Sequence, residues 1–202
     1  ILRFNMTSEF RIGLISDTHM PGTLKVLWPG VLDFFSGCDA ILHAGDLHTL
    51  DIVDALSQVA PTYVALGNGD EGLTDPRLAE HWLLTFGETQ VGMMHHCPSP
   101  ERKPQAVIEK QILKRMETLP DILVFGHTHF ESITEVGSMV LINPGSPTLP
   151  HNQTLRPGTL GMVTLTAGQS DFALYQIDAG QVVPHPTIAA LSRASTSGAI
   201  SV

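Results

Sequence analysis

Short apolar runs alternate with amphipathic segments through the first third of the chain. The runs of strand length cover 11–16, 40–43 and 62–66, and a small or acidic residue stops each of them. Apolar positions with helical spacing lie between these runs, over 26–35 and 50–59. Alternation of strands and helices is typical of parallel strands in an α/β protein. The pattern therefore predicts an α/β fold that begins with a doubly wound, parallel sheet.

The middle of the chain indicates a change towards antiparallel pairing. The predicted elements are a short helix at 76–80, strands at 83–86 and 90–95, a helix at 106–117 and a strand at 122–125. Gly87 and Glu88 suit a hairpin turn between the two strands of the first pair. We therefore expect the sheet to become mixed in this region.

Strands without intervening helices dominate the remainder. They are predicted at 132–136, 140–143, 160–166 and 172–178. Because no helix separates them, we expect these four strands to form a second, mostly antiparallel sheet. The sequence thus predicts two sheets that pack face to face, with helices on the outside.

The length and composition indicate one globular domain. A chain of 202 residues with 43% hydrophobic and 15% charged positions is able to build a single core. We place this domain at 11–190, after a lead-in at 1–10 that resembles a tag remnant before a natural start at Met6, and before a flexible tail at 191–202. The sequence leaves open whether the protein forms a homo-oligomer.

Charge and hydropathy exclude several classes of partner. The net charge is −9 with 11 Lys and Arg residues, which argues against a nucleic-acid partner, because phosphate backbones require clustered basic side chains. There is no apolar run of the ~20 residues that a membrane span needs, and no basic segment followed by an apolar one at the N-terminus. Two cysteines do not make a disulfide framework. We therefore expect a soluble, cytoplasmic protein without a membrane partner.

Polar side chains that bind metals follow the predicted strands at the point where each strand ends. They are Asp17 and His19 after the first strand, Asp46 after the second, Asn68 after the third, His95 at a later strand end, and His127 and His129 after the strand at 122–125. The carboxyl ends of strands in open α/β sheets gather ligands at one crevice. We therefore expect all five loops to face one site.

These seven side chains offer only oxygen and nitrogen donors, which suit manganese, iron, zinc or nickel. Seven donors are too many for one four-coordinate ion, whereas two ions are able to share a carboxylate. Taken singly, each has an ordinary alternative: Asp17 as a helix cap, Asn68 as a turn residue and His95 as a hydrogen-bonded core residue. Their joint occurrence in one order favours a dinuclear metal site.

The ordered blocks resemble those of the calcineurin-like metallophosphoesterase superfamily over about residues 11–148. The matching blocks are Asp17-Thr18-His19, Gly45-Asp46, Gly67-Asn68, His95 and Gly126-His127-Thr128-His129. The block Asn143-Pro144-Gly145-Ser146 and the short chain resemble the small bacterial and archaeal phosphodiesterase branch, which is related to the retromer scaffold subunit.

This resemblance implies a four-layer α/β/β/α sandwich and a phosphodiesterase that acts on small phosphate diesters. It implies one metal ion held by Asp17, His19, Asp46 and His129, and a second held by Asp46, Asn68, His95 and His127. Asp46 would bridge the two ions. Manganese is the leading cofactor, with zinc, iron and nickel as alternatives. We expect a hydroxide that bridges both ions to attack phosphorus.

The chain departs from the superfamily pattern at two positions. Gly69 stands where many phosphomonoesterases carry a histidine after the asparagine, and because glycine donates no proton, its presence favours diesters. His96 stands where this branch usually has glycine. It is a candidate to bind substrate phosphate or to supply the missing acid, with an exposed loop histidine as the alternative. A shifted register would make His96, rather than His95, the metal ligand.

Neighbouring polar residues complete the candidate site. Asp70 is expected to orient a ligand from behind, while Asn68, His96 and His151 are candidates for substrate binding. His48 and Arg156 are weaker candidates for substrate contacts. Cys97 is expected to be an inert thiol.

Two rival functions follow from the same resemblance. The first is a noncatalytic scaffold that keeps the sandwich and loses part of the metal set, which the presence of His19 and Asn68 disfavours. The second is a nuclease, for which the acidic chain offers no basic track.

Overall fold

Two mixed β-sheets form the centre of the molecule and pack face to face. The computed structural model describes residues 9–153 and 155–194. Buried side chains of the first sheet, such as Leu42 and Phe172, share one apolar core with Val91 and Val124 of the second sheet. The predicted face-to-face arrangement is therefore confirmed.

The elements are short and follow one another closely. The strands in chain order are β1 (Phe10–Ile15), β2 (Ala40–His43), β3 (Thr62–Ala65), β4 (Leu78–Ala79), β5 (His81–Phe86), β6 (Thr89–Met94), β7 (Ile122–Val124), β8 (Ser132–Val136), β9 (Met139–Asn143), β10 (Thr159–Thr166), β11 (Gln169–Asp178), β12 (Gln181–Pro184) and β13 (Leu191–Ala194). The helices are α1 (Pro29–Phe35), α2 (Asp51–Ser57) and α3 (Gln105–Met116), and a short 3-10 helix covers Pro150–Asn152.

The first sheet has the order β12-β11-β10-β1-β2-β3-β4, and β13 also pairs with β11. Strands β1 to β4 run parallel, whereas β10 and β11 run antiparallel to their neighbours. The second sheet has the order β5-β6-β7-β9-β8, with β6, β7 and β9 parallel. Both sheets are therefore mixed.

Helices cover the outer face of each sheet. Val31 of α1 and Leu56 of α2 pack with Ile41 on the outside of the first sheet. Ile112 of α3 packs with Leu123 on the outside of the second. The layers are therefore α/β/β/α, as the resemblance implies. Among the described helices, none is long and apolar enough to cross a membrane.

The helix predicted at 76–80 is wrong. Residues Leu78–Ala79 form β4, which extends the parallel edge of the first sheet. The backbone N–H of Val64 donates to the carbonyl of Arg77 at 2.9 Å, and that of Leu66 donates to Ala79 at 2.8 Å. These hydrogen bonds to the edge of β3 satisfy the local backbone and outweigh a weak helical preference.

The predicted grouping of the late strands is also wrong in part. Strands β8 and β9 belong to the second sheet, but β10 and β11 belong to the first, where β10 pairs with the edge of β1 that β2 does not use. Gly161 of β10 pairs with Leu14, and its missing side chain leaves room for the Leu14 side chain. The four late strands thus divide between two sheets, because β10 and β11 add to the side of β1 that β2 leaves open.

The ends of the domain differ from the prediction as well. Residues Leu191–Ala194 form β13 on β11, so the predicted flexible tail begins with a strand. The rest of that tail, 195–202, and positions 1–8 of the lead-in lie outside the described residues.

Helix α1 begins at Pro29 rather than at Val26, because Trp28 is extended at ψ 129° and proline starts the first turn.

Candidate metal centre

The predicted ligand side chains lie together where strands of both sheets end. Asp17 and His19 follow β1, Asp46 follows β2, Asn68 follows β3, His95 follows β6, and His127 and His129 follow β7. Their donor atoms form two neighbouring groups. Residues far apart in sequence, such as Asp17 and His129, thus meet at one place.

The first group consists of Asp17, His19 and His129, whose ligand atoms all lie within 4.8 Å of one another. The two Nε2 atoms of His19 and His129 are 3.1 Å apart, and the Nε2 of His129 is 3.5 Å from Asp17 Oδ1. The Nδ1–H of His129 donates to the carbonyl of Leu149 at 2.8 Å, which leaves Nε2 for a cation.

The second group contains Asn68, His95 and His127. Asn68 Oδ1 lies 3.3 Å from His95 Nε2 and 3.1 Å from His127 Nδ1. The Nδ1–H of His95 donates to the carbonyl of Ala44 at 2.7 Å, so its Nε2 faces the group. His95 is buried, whereas the next residue, His96, is exposed.

Asp46 lies between the two groups. Its Oδ2 is 3.5 Å from His19 Nε2 in the first group and 3.5 Å from His95 Nε2 in the second. The other carboxylate oxygen, Oδ1, accepts the backbone N–H of Gly69 at 2.7 Å. The Asp46 carboxylate therefore contacts both halves of the centre, and Asp17 also has a ligand atom within 4.8 Å of those of Asp46 and His95.

Most of the ligand-bearing residues have a left-handed backbone. Positive φ angles of 46° to 69° occur at Asp17, His19, Asp46, His127 and His129. Non-glycine residues adopt this conformation at an energetic cost, which folds accept mainly where a side chain must point into a site. Five of the seven candidate ligands carry this signature, which the sequence does not reveal.

Asp70 fixes the loop that presents Asp46. Its Oδ2 accepts the N–H groups of Asp46 and Gly67, both at 2.8 Å. Its Oδ1 accepts those of Leu47 at 2.7 Å and His48 at 3.0 Å. This buried carboxylate binds four backbone donors, so it holds the loops after β2 and β3 together.

His43 has a similar role that the sequence reasoning missed. Its Nδ1 accepts the backbone N–H of Gly45 at 3.1 Å, so Nε2 carries the proton and donates to Thr18 Oγ1 at 3.2 Å. It thereby links the loop of Asp46 to the loop of Asp17. The sequence offered one signal for this role: His43 is the last residue of the strand that leads into Gly45-Asp46.

Three more buried side chains orient the ligand loops. The hydroxyl of Ser16 donates to Asp17 Oδ2 at 2.6 Å, and that of Ser146 donates to the Asp17 carbonyl at 2.7 Å. Asn143 Nδ2 donates to the Gly126 carbonyl at 3.1 Å. The block 143–146 thus braces the loops of Asp17 and His127, a role that its sequence motif did not specify.

Burial shifts the ionisation of the two central carboxylates in opposite directions. Burial raises the pKa of Asp17 to about 6, against the hydrogen bond from Ser16. Burial also raises the pKa of Asp46, but hydrogen bonds from His95 and the Gly69 N–H, with nearby imidazoles, outweigh it and lower that pKa. Both groups are therefore carboxylates at neutral pH.

The imidazoles respond to burial and to those carboxylates. Burial lowers the pKa of His19 to about 4 and also lowers the pKa of His127. For His95 burial acts in the same direction, but the hydrogen bond to Asp46 and the charges of Asp17 and Asp46 raise its pKa overall. His19 and His127 are therefore neutral near pH 7, the form that coordinates a metal ion.

Two further histidines lie at the edge of the centre. The ring of His96 is 4.9 Å from that of His127, and the ring of His48 is 4.6 Å from that of His19. A Cβ at Gly69 would overlap His48 Nε2, so His48 occupies the space next to Asn68. An imidazole thus lies beside Gly69, although it comes from another loop.

The remaining candidates lie further out. His151 donates its backbone N–H to the carbonyl of His129 at 2.9 Å, while its Nε2 contacts Glu131 Oε2 at 2.8 Å. Exposed Arg156 lines the same cavity as His151. Burial raises the pKa of Cys97 to about 12, so this thiol is protonated and unreactive at neutral pH.

The sequence matches a known protein family. The family model of the calcineurin-like phosphoesterase superfamily domain matches residues 10–168, which is most of the chain. The chain belongs to this superfamily. A probable metallophosphoesterase of Methanothermobacter thermautotrophicus is 38% identical over 141 residues, covering 69% of this chain and 78% of that protein. The resemblance seen in the sequence motifs is confirmed, and this chain has two groups of side chains with the spacing to hold a metal ion.

Solved structures share the fold of this metallophosphoesterase at low sequence identity. Vacuolar protein sorting 29 from Cryptosporidium parvum has a TM-score of 0.75 at 20% identity, over 93% of this chain and 99% of its own. The zinc-complexed protein of that name from Entamoeba histolytica has a TM-score of 0.69 at 22% identity, over 92% and 99%. These similarities show the same four-layer fold.

Proposed function

We propose that this metallophosphoesterase is a phosphodiesterase that uses two divalent cations. The position of Asp46 Oδ2, 3.5 Å from an imidazole nitrogen of each donor group, carries the proposal. A carboxylate in that position suits a bridge between two cations. Neutral His19 and His127 and ionised Asp17 supply donors of the type that transition-metal ions prefer, so the residues fit the metal pair.

In this proposal the first ion takes Asp17, His19, Asp46 and His129, and the second takes Asp46, Asn68, His95 and His127. Manganese is our first choice, and zinc, iron and nickel are the alternatives. The zinc complex of the Entamoeba histolytica protein supports zinc as an alternative for this fold. When bound, the cations supply Lewis acidity towards the phosphoryl oxygens and an activated water as nucleophile.

The chain's own residues position the reactants. Asn68 belongs to the second donor group, with His95 and His127, and offers an amide Nδ2–H to a phosphoryl oxygen when its Oδ1 faces the cation. His96 is exposed beside His127, and His48 lies beside His19, so each is in place for a hydrogen bond to the ester. Asp70 and His43 hold the loops of Asp46 and Asp17 in fixed positions, which favours in-line attack.

We propose small phosphate diesters as substrates, in the cytoplasm. Gly69 supplies no proton to a leaving alkoxide, which supports esters with good leaving groups. The two described cysteines, Cys38 and Cys97, are buried free thiols, which fits a reducing compartment.

Asp46→Ala and His127→Ala test the function in manganese-loaded protein with bis(4-nitrophenyl) phosphate. We expect hydrolysis to fall about 100-fold or more, because each variant removes a ligand. Asp178→Asn, at an exposed position, is the control and keeps the parent rate. Activity of either ligand variant within about threefold of the parent would contradict the mechanism.

A substrate panel separates the ester classes. It contains phosphomonoesters, linear diesters, cyclic nucleotides and aryl diesters, each with manganese, zinc, iron or nickel. We expect diesters to have the higher kcat/KM. A strong preference for monoesters would show that Gly69 does not set the specificity, and a metal-loaded parent that hydrolyses none of them would favour a scaffold.

A further inference from the structure

A cavity of about 660 Å³ lies beside the loop that carries His127 and His129. Thr128 and Pro150 line it, and Thr128 lies in the chain between the candidate ligands His127 and His129. The 3-10 helix Pro150–Asn152 is anchored to the loop of His129, because the backbone N–H of His151 donates to the His129 carbonyl at 2.9 Å. The wall of the cavity and the metal ligands therefore belong to the same loops.

Phe130 forms an aromatic wall of this cavity. Its side chain is 51% exposed, although it is a large apolar residue directly after His129. The ring of His151 stacks on it with centroids 4.1 Å apart and planes at 27°. His151 is itself held by Glu131, at 2.8 Å from Nε2 to Oε2. One face of the Phe130 ring is thus supported, while the ring keeps a large surface open to a ligand.

The carboxylate of Glu131 is occupied by two imidazoles. His151 contacts its Oε2, and His185 contacts its Oε1 at 3.3 Å. The side chain of Glu131 is only 8% exposed, so its charge is turned towards these two rings. The contact with Glu131 fixes the position of the His151 ring. Two exposed guanidinium groups, of Arg102 and Arg156, line the same cavity beside one exposed carboxylate, that of Glu101, and attract an anionic ester.

We propose that this cavity is a subsite for an aromatic substituent of the phosphate ester, with the ring stacked on Phe130. The proposal rests on the proposed function, because it places the phosphoryl group at the metal centre. The exposed surface of the Phe130 ring fits a second aromatic ring, which nitrophenyl groups and nucleobases both offer. His151 then acts by supporting Phe130 from behind.

Binding of non-hydrolysable phosphonates tests the subsite without turnover. Calorimetry on the zinc-loaded protein compares phenylphosphonate with methylphosphonate, which share the charged group and differ in the ring. We expect phenylphosphonate to bind the parent about tenfold more tightly. Phe130→Ala should remove that preference and leave methylphosphonate within about twofold, whereas Phe130→Tyr should keep it. Leu113→Ala, an exposed apolar position on α3, is the control.

Two results would overturn the subsite: equal binding of both phosphonates to the parent, or a preference that persists in Phe130→Ala. A nucleoside phosphonate distinguishes the two ring types, since a subsite that takes nucleobases should bind it more tightly than phenylphosphonate and should lose that gain in Phe130→Ala. Failure of the proposed function is a separate result. Diester hydrolysis without a ring preference would contradict the subsite alone, whereas a ring preference without hydrolysis would contradict the proposed phosphodiesterase activity.

Discussion

The imidazole of His48 occupies the space into which a side chain at Gly69 would project. A Cβ built at Gly69 overlaps His48 Nε2 and lies 3.2 Å from Asp46 Oδ1. The backbone N–H of Gly69 donates to the same Asp46 oxygen at 2.7 Å. Glycine at this position therefore allows His48 to pack against His19 while the backbone holds Asp46.

Gly69→Ala should displace His48 and lower diester kcat/KM by about tenfold, because the new methyl group and the imidazole compete for one space. In the His48→Ala background the same change should cost less, since the clash with the imidazole is then gone and only the 3.2 Å contact with Asp46 Oδ1 remains. Kinetics of the parent, both single variants and the double variant form the measurement. Equal penalties in both backgrounds would show that the two residues are not coupled.

Adjacent histidines should differ in their effect on metal content. His95→Ala should reduce the tightly bound manganese from about two ions per chain to about one, because the Nε2 of His95 lies in the second donor group. His96→Ala should keep about two ions, because its exposed ring only borders that group. Metal analysis after gel filtration gives both values. Loss of an ion in His96→Ala alone would exchange the roles of the two residues.

Asp70→Asn should weaken metal binding although Asp70 is not a proposed ligand. The amide NH2 of asparagine would face two backbone N–H donors, so the loop of Asp46 would lose hydrogen bonds that Asp70 makes at 2.7 to 3.0 Å. We expect about 10- to 100-fold lower manganese affinity by titration. Glu71→Gln, the exposed neighbour, is the matched control. Unchanged affinity in Asp70→Asn would remove its orienting role.

The stability of the metal-free protein should depend on the protonation of His43. Burial lowers the pKa of His43 from 6.5 to about 4, so between these values the unfolded chain binds a proton that the folded chain does not. Its contribution to the free energy of unfolding is present above pH 6.5 and is lost as the pH falls towards 4. The loss is about 1.4 kcal/mol per pH unit, or about 3 kcal/mol in total.

His43→Gln checks this pH dependence by urea unfolding across pH 4 to 6.5. The stability difference between parent and variant should shrink as the pH falls. A constant difference across this range would show that His43 does not contribute through its ionisation.

Local sequence pattern determined the strands that lead into the site and the order of the candidate ligands. Strand β2 begins and ends where its apolar run does, and Asp46 follows it after a glycine. Such features depend on residues close together in the chain, because apolar periodicity sets the buried face and a small or polar residue ends the strand. The motif blocks are local in the same sense, which is why the sequence indicated the family.

Only the tertiary structure decided which strands share a sheet and which side chains share the site. Strand β10 completes the free edge of β1, and local propensity does not encode that choice of edge. The contacts of His48 with the Gly69 loop, and of Glu131 with His151 and His185, join distant parts of the chain. The sequence by itself therefore determined the candidate ligands and their order, while long-range packing determined the side chains that hold their loops and the cavity beside them.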